Sequence, residues 1–181
     1  VPGRVNVPYT EVALRLYAGE VIREVKTVKQ ESRFREEEKL EFLLGAWNNS
    51  GHLSAGPFGP GGPVTGVTTY HWAVGDKWLQ YLSRLELPGL GAYEVHGGVA
   101  FTGRAGEYDA YAVNSLGNLL VYEGKWTDEA TLVFSLVHPR PGDGARVVYH
   151  KPPSGSFSMT SESVSEEGRW VPYLELGYNR G

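Results

Sequence analysis

A chain of 181 residues with a formal net charge of -4 is long enough to bury its own core, and it has no basic excess with which to neutralise phosphates, so nucleic acid is not an expected partner. The absence of cysteine excludes a disulfide framework, thiolate metal sites, iron–sulfur clusters and a thiol nucleophile. No run of about 18 apolar residues occurs, so no membrane span is expected. Residues 1–9 lack the charged-then-apolar pattern of a secretory signal, and a chain opening on Val1 is expected to have been trimmed. The expectation is a soluble protein, cytoplasmic rather than secreted.

The first elements are helical. From Thr10 onward Leu14, Tyr17, Ala18, Val21, Val25 and Val28 recur at steps of three and four, with Arg15, Glu20, Arg23, Glu24 and Lys26 on other faces. That spacing predicts an amphipathic helix over residues 10–28, capped by the Thr10 hydroxyl. Its apolar face needs a partner, so it is expected either to lid the rest of the domain or to pair with its counterpart in a second subunit, and the homodimer is the favoured expectation. A charged stretch then leads into Leu40, Phe42, Leu43 and Leu44, read as a second short helix ending at Gly45.

After Gly45 the pattern changes to strands. Segments rich in aromatic and β-branched residues fall at 46–54, 64–74, 78–86, 92–102, 107–114, 119–126, 131–138, 145–151, 156–164 and 169–179. Turn chemistry separates them, as in Gly75-Asp76, Gly117-Asn118 and residues 166–168, and connections this short allow only antiparallel neighbours. About ten strands in up-and-down order would leave two unpaired edges, which closure into a barrel removes. The fold class is therefore all-β, with a helical extension over residues 1–44 and an antiparallel barrel over residues 45–181.

The segment from Leu43 onward resembles a bacterial lipocalin-like, calycin-related family catalogued as a domain of unknown function. The resemblance is carried by Leu44-Gly45-Ala46-Trp47, by residues 69–79 around Gly75-Asp76-Lys77-Trp78, by residues 98–114, by Gly117 and Gly124, and by the closing residues 173–180. It implies a lipocalin-like barrel and no particular chemistry. Where the family usually shows Trp-x-Asp-Ser, this chain reads Ala112-Val113-Asn114-Ser115, so a large ring and a carboxylate are both replaced. The family is in turn distantly similar to nitrobindin-like barrels, which implies a haem-binding alternative with His138 or His150 as axial ligand.

Two sets of residues are candidates for chemistry. Glu94 and His96 share one strand face, Glu107, Asp109 and Tyr111 share a face of the next strand, and Arg84 and Glu86 lie on the strand before. Pointing inward, they would offer acid–base chemistry, with Glu94 or His96 as base, Tyr111 or Tyr122 as hydrogen-bond donor and Arg84 holding an anionic group. Pointing outward, they are solvated cross-strand pairs, and a register change of one residue decides which. The second set is the expected cavity wall: Trp72, Tyr81, Ala112, Asn114, Tyr122, Trp126 and His138. The five histidines show no metal-ligand spacing, so neither a metal site nor a cofactor is expected. The leading expectation is a barrel that binds a small apolar or aromatic molecule. A cofactor-free cyclase, isomerase or lyase and a haem binder are the alternatives.

Overall fold

The computed structural model describes residues 36–57, 59–139, 144–153 and 155–181. The helix expected over residues 10–28, and the homodimer contact built on it, lie outside the described residues. Ten strands follow a short 3-10 helix (Glu41–Leu43): β1 (Gly45–Leu53), β2 (Gly62–Ala73), β3 (Trp78–Leu87), β4 (Gly91–Phe101), β5 (Glu107–Asn114), β6 (Leu119–Trp126), β7 (Thr131–His138), β8 (Ala145–His150), β9 (Phe157–Val164) and β10 (Trp170–Asn179). Each pairs antiparallel with its neighbours in sequence, and β10 returns to pair with β1, so the sheet closes with no edge. The barrel is the expected one, and β5, β6 and β7 have the expected bounds.

Alternation along each strand sends one set of side chains inward. On β1 these include Trp47, Asn49 and Leu53, on β2 Val64, Thr68 and Tyr70, and on β3 Leu79, Ser83, Leu85 and Leu87, all of them buried. Residues 36–44 close the end of the barrel at which β1 begins. Leu40 and Leu43 are each only 1% exposed, and Phe42 sets its ring edge-on to Trp126 and Phe157 at centroid distances of 6.1 and 5.5 Å. Trp47 Nε1 donates to the Leu43 carbonyl at 2.7 Å, and Arg180 donates to the Leu44 carbonyl at 3.2 Å.

Tyr108, the largest fully buried side chain, holds this plug by its hydroxyl. The hydroxyl directs its one proton to Glu36 Oε2 at 2.9 Å, with the Glu36 carbonyl also within reach at 3.1 Å, and it accepts from Trp126 Nε1 at 3.1 Å. Glu36 is itself buried and paired with Lys39 at 2.8 Å. Removing a partner from a buried carboxylate costs more than the bond's net worth, because the remaining charge is left under-solvated. Tyr108→Phe is expected to lower unfolding stability by about 2 kcal/mol, read from the denaturant midpoint at unchanged slope. An unchanged midpoint would show that the plug does not depend on this hydroxyl.

Candidate functional site

The half of the barrel away from the plug is hollow. Its cavity of about 280 Å³ is walled by inward-facing residues, with Leu53, Leu85, Leu87, Val95, Leu120, Leu136, Val147 and Met159 among the apolar ones. Small residues make the room. Tyr81 of β3 lies directly opposite Gly97 of β4, and a β-carbon at Gly97 would overlap the Tyr81 ring, so the ring can lie across β4 only because no side chain is there. Gly97 in turn stands opposite Ala112 of β5, whose methyl is the whole of its contribution to the wall. The next glycine does the same on the outer face, where Gly98 lies under the Tyr111 ring and Tyr111 packs edge-on to Trp78 at 6.2 Å.

Phenols make up the larger part of the polar wall. Seven of the chain's 11 tyrosines line the cavity, namely Tyr70, Tyr81, Tyr93, Tyr122, Tyr149, Tyr173 and Tyr178. The remaining polar wall residues are Ser83, Asn114, Asn118 and Ser161, and among the described residues no carboxylate, ammonium, guanidinium or imidazole reaches the wall. Tyr70 and Tyr149 join hydroxyls at 3.4 Å. Asn114 Oδ1 is committed to its own turn, accepting from the amides of Leu116 at 3.1 Å and Asn118 at 3.2 Å. Tyr93, Tyr122 and Tyr173 are half-buried although they face inward, which gives solvent a way to this end of the cavity.

Burial pushes the ionisation of all seven phenols above their ordinary value of 10.0, with neighbouring tyrosines adding to the effect at each of them but Tyr173. The wall is therefore neutral at physiological pH. An acid whose pKa is raised by folding contributes full stability below its unfolded pKa and loses it as pH rises above that value. The protein is expected to be insensitive to pH on this account up to about pH 10 and to lose stability steeply above it. The wall's seven-tyrosine share of the phenolate absorbance should appear in alkaline titration only together with unfolding; ionisation of most of the chain's 11 tyrosines near pH 10 while it is still folded would contradict it.

The structure sorts the expected residues clearly. Tyr81, Ala112, Asn114 and Tyr122 line the cavity together. Trp72 and Trp126 also belong to the inner layer, but they pack on the core elsewhere and do not reach the cavity. Trp126 sits at the plugged end, bonded to Tyr108. His52, His71, His96 and His150 are exposed because each falls on the outer parity of its strand, whereas His138 shares the parity of Leu132, Phe134 and Leu136 and is exposed past the register shift where Tyr122 pairs with Leu136 and Val121 with His138, so His138 leaves the wall set. The acid–base candidates are also on the outside. Arg84 donates to Glu94 at 2.7 Å and His96 approaches the same carboxylate at 3.1 Å, with side-chain exposures of 63%, 42% and 62%. Arg84 and His96 hold the Glu94 carboxyl below its usual range by these hydrogen bonds. Together with Tyr111 on Gly98, they form a solvated cross-strand surface and not a catalytic lining.

Tyr70, Ser83, Tyr93, Tyr149, Tyr173 and Tyr178 belong to the wall and were not among the expected residues. The signal that finds them is tyrosine or serine at inward parity. A haem group held by histidine does not fit this wall, since neither His138 nor His150 reaches it and the buried phenols are protonated.

These features define a closed antiparallel up-and-down barrel, plugged at one end and hollow with an uncharged wall at the other. The chain belongs to the family described as "Protein of unknown function (DUF1579)", whose model matches residues 33–180. Among solved structures it is similar to Rv2717c from M. tuberculosis, with a TM-score of 0.59 and 14% sequence identity over 80% of this chain and 96% of that one, a likeness of fold alone. A redesigned β-barrel, b11L5F_LGL, aligns with a TM-score of 0.39 and 12% identity over 79% of this chain and 95% of that one. No curated protein matches the sequence. No helix among the described residues is long and apolar enough to cross a membrane.

Proposed function

We propose that this barrel binds a small, uncharged, largely apolar molecule, flat enough to lie among the tyrosine rings. The observation that carries the reading is the cavity of about 280 Å³, walled by aliphatic side chains and seven neutral phenols. Such a wall stabilises an apolar body by burial and orients it with a few hydroxyls, whereas an ionic group would enter with no counter-charge to meet it. A cofactor-free enzyme is the weaker reading, because Arg84, Glu94 and His96 are outside the barrel and the wall offers only weak acids held neutral.

Calorimetric titration with 2-naphthol tests the proposal. The expected dissociation constant is micromolar, about 8 kcal/mol, and 2-naphthoate at the same pH is expected to bind far more weakly. Because Trp72 and Trp126 do not reach the cavity, heat and probe fluorescence are better readouts than tryptophan emission. Equal affinity for the acid and the phenol would contradict a neutral wall, and no heat with either probe would remove the binding reading.

A further inference from the structure

We propose that Ser83 Oγ is the cavity's hydrogen-bond acceptor, so that the barrel selects an uncharged apolar ligand carrying a hydroxyl or N–H donor. The inference rests on the binding reading above and specifies which ligands satisfy it. Three buried side chains on adjacent strands form a line that ends at the wall: Asn49 of β1, Thr68 of β2 and Ser83 of β3, with exposures of 4%, 1% and 7%. Of the three, Ser83 is the one that lines the cavity.

With Asn49 turned so that Oδ1 faces Thr68, proton accounting gives this line a direction. Asn49 Oδ1 is an acceptor with no proton to give, so the contact of 3.0 Å between it and Thr68 Oγ1 uses the single Thr68 hydroxyl proton. The contact of 2.8 Å between Thr68 and Ser83 must then use the Ser83 proton. Ser83 Oγ is left with lone pairs alone to present to the cavity. Its strand partner across β4 is Val95, which offers that oxygen no side-chain donor. An inward-facing hydroxyl that has already spent its proton is an unfilled acceptor in a low-dielectric wall, and a ligand donor placed there removes a desolvation cost that an ether or hydrocarbon cannot. The phenols differ in this respect, because a rotating hydroxyl can either give or accept and so does not discriminate.

The test compares 2-naphthol with 2-methoxynaphthalene, which share a ring system but differ in the donor, by calorimetry on the full chain. The wild type is expected to prefer 2-naphthol by about fivefold to tenfold. Ser83→Ala should remove that preference by weakening 2-naphthol while leaving the ether unchanged. Thr68→Val, close in shape, should also shrink it, and from the other side: the freed Ser83 proton turns into the cavity and tightens the ether. An equal or reversed preference in the wild type overturns the assignment and leaves cavity binding standing. So does a preference that survives both Ser83→Ala and Thr68→Val. Binding of neither probe overturns the assignment and the binding reading together.

Discussion

Gly51→Ala is expected to destabilise the barrel by about 3 kcal/mol or more, the largest effect of a single added methyl anywhere along β1. Gly51 pairs with Leu176 on the strand that closes the barrel. A β-carbon there would overlap the Glu175 carbonyl oxygen and stand 3.0 Å from Leu176 Cα. Both obstacles are backbone, so no rotamer change relieves them and the closing seam must open. On β2, Gly66 meets the Arg84 carbonyl in the same way, so here too a neighbouring backbone approaches too closely for a side chain. Gly56→Ala is the control, since nothing lies within 4 Å of its added carbon and its stability should be unchanged or slightly raised. Equal midpoints for the Gly51 and Gly56 variants would show that the seam has slack.

Ala112→Trp should abolish binding of flat apolar probes, weakening 2-naphthol by about a hundredfold or more, near 2.7 kcal/mol, while leaving far-UV circular dichroism unchanged. Ala112 is 5% exposed and lies between Gly97 and Leu120 in the inner layer. An indole built from that position projects into a space of about 280 Å³ already bordered by the Tyr81 and Tyr122 rings. The added volume goes into an existing void, which is why a large effect on binding is expected beside a small one on folding. If the variant folds and binds as before, the ligand occupies another site.

Much of this was legible in the sequence for reasons that differ between fold and site. Strand bounds follow from turn residues and alternation, which are local, and β5 to β7 illustrate how sharply they read. Alternation also shows that Glu94 and His96 share a face, but the inward side must come from the neighbours. On β4 the partners at the other parity, Tyr93, Val95, Val99 and Phe101, are the apolar half. Height along the barrel axis is not local at all. Trp72 and Trp126 have the inner parity expected of wall residues, yet register and strand stagger put them away from the hollow half. The Ser83 relay was beyond reach for the same reason, since Asn49, Thr68 and Ser83 become neighbours only when three strands are in register.

The plug at residues 36–44 makes the barrel a flask and not a pipe. On the binding proposal, a ligand in such a vessel would leave by the neck through which it came, so that two molecules could not pass one another and exchange would proceed by emptying before refilling. Displacement of a bound probe by a competitor should therefore follow the probe's own departure rate, whatever the competitor's concentration. Loosening the stopper through Tyr108→Phe opens a second door and should hasten that departure without altering the wall that sets selectivity.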